Sequence, residues 1–262
     1  MIDRKFTLKK RKASRRDFSH RKTLGSGTIP PSGTVTSYPT EIRDQGSTNE
    51  CTAYTAIQVR QSKTGEVYDP NAFWQGELSL GGSPDGVTLD TQGAAGIKVG
   101  WKVQDKDVIE KATSYLYVKD SPFDSIDMFD TLREAIVSQG ELSAGLDWYT
   151  EWNTPTGIIP HTQNKLLGGH DVTLANLAYI GGIDYIQIPN SWGTSQGNNG
   201  YFYIDRFMAN KVFSEYGVIY WQDNSDLTIK KMGFIEALCV NVINLLKQMI
   251  NNATNSNSIA PV

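Results

Sequence analysis

Cysteine and histidine are scarce in this chain of 262 residues. Its two cysteines, Cys51 and Cys239, are too few for a framework of disulfides. That scarcity favours a reducing compartment, either the cytoplasm or a virus-associated one. The three histidines, His20, His161 and His170, are scattered, and neither they nor the cysteines show the spacing of metal ligands. No metal or other cofactor is therefore expected.

Long apolar runs are also missing. No stretch reaches the roughly 18 apolar residues of a transmembrane helix, and the N-terminus lacks the apolar core of a secretory signal. Charge is unevenly spread instead: residues 1–22 carry a net charge of +8 and the remainder −11, which gives the overall −3. Such a basic arm can bind nucleic acid or an acidic partner, fold back on its own acidic body, or remain solvated.

Hydrophobic patterning divides the chain into three regions. Residues 1–37 are predicted to form a basic arm and a linker, residues 38–222 a folded domain, and residues 223–262 an amphipathic helix with a disordered tail. The helix is predicted within residues 234–250, and it is expected to dock on the body or on a partner helix rather than on lipid. Its apolar stripe consists of Ile235, Leu238, Val242, Leu245 and Met249.

Within the domain, helices are predicted in the first half and strands in the second. One helix begins near Cys51, with Asn49 as its N-cap, and ends near Gly65. Further helices are predicted within 70–82, 88–100 and 126–139. Strands are predicted within 141–149, 171–180, 184–193 and 200–207. This order indicates an α+β fold with two lobes.

Cys51 and His170 are the candidate reactive pair. A helix N-terminus and a neighbouring imidazolium both stabilise a thiolate, and Cys51 lies at a predicted helix start. His170 opens a predicted strand after Gly168–Gly169, where glycines permit close approach of backbone or substrate. Asn190, at a strand end, suits the orienting group that a histidine base needs. A lone buried cysteine is otherwise more often an inert core residue, and a single histidine more often structural.

Three motifs resemble the papain and cathepsin group of cysteine peptidases. Gln45 precedes Cys51 by six residues, as the family's glutamine precedes its nucleophile. The segment Asn190-Ser191-Trp192-Gly193 is the family's Asn-Ser-Trp-Gly box, and Gly197 to Phe202 resembles the strand that follows it. The order of the candidate cysteine, histidine and asparagine also agrees, and the resemblance covers about residues 38–222.

The resemblance implies a papain-like fold with a helical lobe, whose central helix starts near Cys51, and a β-barrel-like lobe that carries His170 and Asn190. It implies that Cys51 attacks the peptide carbonyl and that His170 serves as its base. Asn190 would orient the imidazole, and the Gln45 side chain would form the oxyanion hole with the Cys51 backbone N–H. The expected function is an endopeptidase that acts through a thioacyl-enzyme.

The resemblance also places three further residues beside an extended polypeptide substrate. Gly86 and Gly169 would line the cleft between the lobes, and Trp192 would lie there too and shield the histidine–asparagine contact from water.

Departures from the family pattern leave alternatives open. Glu50 precedes the nucleophile, where an inward-facing anion would oppose ionisation of the thiol. Asp171, after the base, would either raise the pKa of the base or face solvent. The usual long pro-domain has no counterpart, so the basic arm is expected to be a short pro-segment or a docking arm. The alternatives to a peptidase are an inactive binding or assembly protein and a peptide ligase.

Overall fold

The computed structural model describes residues 4–11, 28–118, 127–213 and 215–223. Two compact units divide the chain, Met1–Trp221 and Gln222–Val262, and all described residues except 222 and 223 belong to the first. The predicted amphipathic helix within residues 234–250 and the tail after it lie outside the described residues.

Five α-helices form in the described ranges, and most begin and end where the sequence provides a cap. Asp69 accepts hydrogen bonds from the first backbone N–H groups of its helix, and Gly65 and Gly140, both with positive φ, end two others. Asn49 was wrongly predicted as an N-cap, because Glu50 occupies that position and makes no side-chain cap bond. The helices are α1 Cys51–Thr64, α2 Pro70–Ser79, α3 Leu89–Lys98, α4 Met128–Gln139 and α5 Arg206–Val212.

The strands of the described residues form three sheets. Their bounds are β1 Trp101–Lys102, β2 Ile109–Glu110, β3 Ser114–Val118, β4 Leu142–Tyr149, β5 Leu166–Leu174, β6 Asn176–Ile180, β7 Ile183–Pro189, β8 Tyr201–Asp205 and β9 Gly217–Gln222. A small sheet pairs β1 with β2, a four-stranded sheet has the order β3-β9-β4-β5, and a three-stranded sheet has the order β6-β7-β8. These strands form no closed barrel, so the expected barrel-like lobe is corrected to two open sheets.

His170 lies in the middle of β5, although it was predicted to open a strand. The strand begins at Leu166 and continues through the two glycines, because Trp148 and Asp147 on β4 pair with Gly168 and Gly169. β5 is the edge strand of its sheet in the pairing order. Gly168–Gly169 thus lies within a strand at a sheet edge and does not mark a strand boundary.

The four-stranded sheet lies between two hydrophobic cores. Successive side chains of a strand point to opposite faces, and β9 shows the division: Val218 and Tyr220 enter one core, whereas Ile219 and Trp221 enter the other. The first core gathers α4 with most of the strands, and the second gathers α1, α2 and α3. This arrangement fits the α+β architecture with a helical half and a β-rich half. Among the described helices, none has the length and hydrophobicity of a transmembrane span.

Candidate active site

Cys51 is the first residue of α1 and is 1% exposed. Thr55, one helical turn later, donates from Oγ1 to the backbone oxygen of Asp171 at 3.1 Å. The thiol itself takes part in a backbone hydrogen bond with Asp171, which favours the thiolate. Packing of α1 on β5 therefore holds the thiol beside the residue that directly follows His170.

His170 and Asn190 are in direct contact, both fully buried. Nε2 of His170 is 2.9 Å from Oδ1 of Asn190, and the same Oδ1 accepts the backbone N–H of Ser191 at 2.8 Å. Since an amide oxygen only accepts, Nε2 must carry the proton and donate it. Nδ1 of His170 is then the basic nitrogen, and it has no hydrogen-bond partner among the described residues.

Aromatic rings enclose the His170 imidazole. Trp192 stacks on it with ring centroids 4.6 Å apart, and Trp148 approaches it edge-on at 5.6 Å. A third ring, Phe6 from the N-terminal arm, lies 5.9 Å away. Burial lowers the pKa of His170 from 6.5 to about 4, because a charged imidazolium loses its hydration there. The imidazole is therefore neutral in this conformation at ordinary pH.

Gln45 is also buried, and the Asn-Ser-Trp-Gly segment fixes it. Its backbone N–H donates to the Ser191 oxygen at 2.9 Å, and its Oε1 accepts the Ser191 hydroxyl at 2.5 Å. Its Nε2 donates one N–H to the Thr48 oxygen at 3.0 Å. The second N–H of that amide remains for another acceptor. Gln45 and Asn190 are thus held by one segment, residues 190–193.

Two buried carboxyl groups lie near Cys51, and of these only Asp171 was considered from the sequence, whereas Glu77 was missed. Burial, together with the neighbouring Asp171 and Glu77 carboxyls, raises the pKa of the Cys51 thiol to about 12. Burial also holds the pKa of both carboxyls well above their usual range. Glu77 lies on α2, where Thr52 donates to it at 2.9 Å. The sequence signal that could have indicated Glu77 is a single acidic residue within the mostly apolar stretch WQGEL.

Facing solvent was one of the two roles expected for Asp171, and the structure contradicts it. It is fully buried, and Ser143 and Gln92 donate to its carboxyl oxygens at 3.0 and 2.6 Å. Glu50, the residue suspected from the sequence, is half-buried, and burial raises its pKa. The acidic residues that act most on the pKa of Cys51 are therefore Asp171 and Glu77. Among the described residues, no cluster of three or more His, Cys, Asp or Glu could hold a metal ion.

The N-terminal arm crosses this site in its described part, residues 4–11. The Leu8 N–H donates to the Gly169 oxygen, and the Lys9 N–H to the Val87 oxygen, both at 2.9 Å. A Cβ on Gly169 would lie 2.3 Å from the Leu8 oxygen, and one on Gly86 would lie 1.6 Å from the Thr7 oxygen. Gly86 and Gly169, which were predicted to line the cleft, thus lie directly against the backbone of the arm.

Charge and aromatic contacts hold the start of the arm. Arg4 donates to Asp44 at 2.5 Å and to the Trp192 oxygen at 2.9 Å. Phe6 packs edge-on against Trp192 at 5.5 Å. Residues 4–11 therefore follow one of the alternatives left open for the basic arm: they fold back on the acidic body. The predicted binding of nucleic acid or an acidic partner through residues 1–22 stays a prediction.

Comparisons with known proteins point to one family. Residues 92–220 match the family model for the papain family of cysteine proteases. Cathepsin B of Dictyostelium discoideum is 35% identical over 83 residues, which are 31% of this chain and 27% of that relative. Cathepsin B-like cysteine proteinase 3 of Caenorhabditis elegans is 36% identical over 76 residues, 29% and 20% of the two chains. The chain thus spans about a quarter of the length of these curated relatives.

A solved structure shows the same fold. Xylellain, a cysteine protease from Xylella fastidiosa, superposes with a TM-score of 0.68 at 18% identity, covering 85% of this chain and 97% of that one. This chain is therefore papain-like: it resembles the papain family of cysteine proteases in sequence over residues 92–220 and has their fold over the residues that the structure describes.

Proposed function

We propose that this protein is a cysteine endopeptidase with Cys51 as nucleophile, His170 as general base and Asn190 as the group that orients the base. The observation that carries the proposal is the state of the two imidazole nitrogens. Nε2 is committed to Asn190, whereas Nδ1 is buried without a partner in the described structure. A general base needs one nitrogen held and the other left for the proton of the nucleophile.

The first half of the reaction forms a thioester. Nδ1 of His170 takes the thiol proton, and Sγ of Cys51 attacks the peptide carbonyl carbon to form a new S–C bond. The oxyanion accepts the Cys51 backbone N–H, unpaired at the start of α1, and the second N–H of the Gln45 amide. The C–N bond then breaks as the imidazolium gives its proton to the leaving amine.

The second half releases the acid product. Nδ1 takes a proton from water, whose oxygen attacks the thioester carbonyl, and the S–C bond then breaks as the imidazolium gives that proton to the sulfur and restores the thiol. Removal of one oxyanion donor typically reduces such a rate by about 10²–10³-fold. Gln45→Ala is therefore expected to lower kcat to that extent while Cys51 still reacts with small alkylating reagents.

An endopeptidase is supported by the path of the arm. Residues 4–11 run through the cleft from Arg4, beside Asp44, to Arg11, beside Asp90. Phe6, between these two ends, lies against the His170 ring, so an extended chain continues past the candidate base in both directions, as cleavage within a polypeptide requires. A cleft that ended close to the nucleophile would favour removal of terminal residues instead.

In this conformation the site is closed. The arm covers the imidazole with Phe6 and occupies the backbone positions beside Gly86 and Gly169. Burial keeps the thiol and the imidazole neutral. Peptide hydrolysis consequently requires that residues 4–11 leave the cleft, and the arm acts as a short pro-segment. Catalysis also needs a reduced thiol, and Cys51 is free, so the cytoplasm or a virus-associated reducing compartment stays the expected location.

The proposal is tested with a peptidyl thiol-reactive probe on the full-length chain. Cys51 is expected to be labelled once the arm is weakened by Leu8→Ala, and Cys51→Ala in the same chain is expected to remove the label. Cys239→Ser is the matched control and should label like its parent. Internal cuts in a quenched peptide library would establish endopeptidase activity. Equal labelling with and without Cys51 would refute the proposal and favour an inactive binding protein. Joined rather than hydrolysed peptides would indicate a ligase.

A further inference from the structure

Two tyrosine–aspartate pairs flank the arm on the side of Leu8 away from Phe6. The Tyr216 hydroxyl donates to Asp147 at 2.6 Å, and the Tyr117 hydroxyl donates to Asp90 at 2.9 Å. Each pair combines a carboxylate with an aromatic ring. Because these bonds join body residues to one another, both pairs are built without any help from the arm.

The first cation site comprises Tyr216, Asp147 and Glu215. It holds Lys10, whose Nζ forms an ion pair with Glu215, lies 3.6 Å from an Asp147 oxygen and stands 5.5 Å from the centre of the Tyr216 ring. The hydrogen bond to Glu215 raises the pKa of Lys10. An ammonium group at this position therefore faces two carboxylates and a ring, which together favour positive charge.

The second cation site comprises Tyr117 and Asp90. The Arg11 guanidinium lies 3.9 Å from the centre of the Tyr117 ring, and its Nε is 3.8 Å from an Asp90 oxygen. Only 7% of the Arg11 side chain is exposed. A planar guanidinium stacks on a tyrosine face better than an ammonium does, so this site is built for arginine.

An apolar pocket precedes the two cation sites. Leu8 is 5% exposed, and its Cδ2 lies 2.5 Å from the point where a Cβ on Gly145 would stand. The same point is 2.5 Å from Cβ of Tyr216. The glycine on β4 thus makes room for an aliphatic side chain. Between the pocket and the cation sites lies Lys9, which is exposed and whose side chain donates to the Ser83 hydroxyl at 2.7 Å.

We propose that this groove selects substrates by the same spacing, in whichever chain direction a substrate takes: an aliphatic residue, one unselected residue, a basic residue and, farthest from the aliphatic one, an arginine. The proposal rests on the proposed peptidase function and names its substrate class. The arm is the occupant while it is in place, and a substrate segment of like chemistry takes the pocket and the two cation sites once the arm has left.

The test measures binding separately from cleavage. The full-length chain carries Leu8→Ala, Lys10→Ala and Arg11→Ala to weaken the arm, and Cys51→Ala prevents turnover. Fluorescent peptides contain Leu-Ala-Lys-Arg or the reverse order, so that both chain directions are sampled. In the better order, norleucine for either basic residue is expected to weaken binding roughly fivefold, since exposed ion pairs and cation–π contacts each contribute little. A change at the alanine should have no effect.

Variants of the body assign each site. Glu215→Gln, at an exposed position, and Asp147→Asn should remove the preference for the lysine and leave that for the arginine, whereas Asp90→Asn should do the reverse. Asp107→Asn, an exposed acid on the loop between β1 and β2, is the control. Equal binding of the basic and norleucine peptides would overturn the proposal. If the basic peptides bind preferentially but the protein with Cys51 intact does not cleave them, the proposed peptidase function is overturned and the binding pattern stands. If that protein cleaves peptides without preferring the basic ones, the peptidase function stands and the binding pattern is overturned.

Discussion

Leu8 offers the most direct test of whether the arm closes the site. It is an anchor of the described arm, 5% exposed in the pocket beside Gly145 and Gly169. Leu8→Ala removes buried apolar surface worth about 2 kcal/mol, at the low end for such truncations because a pocket at the surface can fill with water. At about 1.4 kcal/mol per factor of ten, the open population should rise roughly 30-fold.

The assay is alkylation of Cys51 by iodoacetamide under native conditions, followed by mass spectrometry of the peptides that contain Cys51 and Cys239. Only the arm-out state exposes Cys51, so its alkylation rate should rise by the same factor of roughly 30. Val35→Ala truncates an aliphatic side chain that is 64% exposed and should leave the rate unchanged. A Leu8→Ala protein that is alkylated at the wild-type rate, with an unchanged melting temperature, would refute the role of Leu8 as anchor.

Three further predictions concern stability. The pKa of His170 is about 4 in the folded state and 6.5 when unfolded. As pH falls through that window, the free energy of unfolding of the wild type should drop by about 3 kcal/mol relative to that of His170→Gln. Urea unfolding measures this difference, and parallel pH profiles of the two proteins would contradict it. Burial raises the pKa of Glu77, so the contribution of its protonated form to the free energy of unfolding is lost as pH rises above about 4.5. In the same assay, Glu77→Gln should therefore gain stability relative to the wild type from acid to alkaline pH. In Gly96→Ala, Cβ would lie 2.5 Å from Trp101, and overpacking should cost about 1–3 kcal/mol; an unchanged calorimetric melting temperature would argue against it.

The sequence predicted most helices of the described chain because their end signals are local. Gly65 and Gly140 end α1 and α4, and each has a positive φ that suits glycine. The position of His170 within β5 could not be predicted in this way. It depends on pairing with Leu146 of β4, a partner distant in sequence. Glycines that look like a strand boundary are stabilised in the strand by that pairing.

The strand-end position of Asn190 and the resemblance to the papain family predicted that Asn190 orients His170, and the structure brings the two into contact. Burial of charge was the harder feature. Asp171 and Glu77 are polar in sequence and fully buried in the fold, because neighbours from several elements satisfy them. Similarly, the basic arm had several possible partners. Only the tertiary structure places acidic groups where they meet the cations of residues 4–11.

The position of β5 has a consequence for handling the protein. β5 is the edge of its sheet, and the arm covers that edge where Leu8 bonds to the Gly169 oxygen. Exposed strand edges are templates for pairing with other chains. A form of the protein without the arm therefore exposes an unpaired strand edge at β5. Either a substrate strand or a second copy of the chain can pair with that edge. Solubility and self-association should consequently depend on whether the arm is docked.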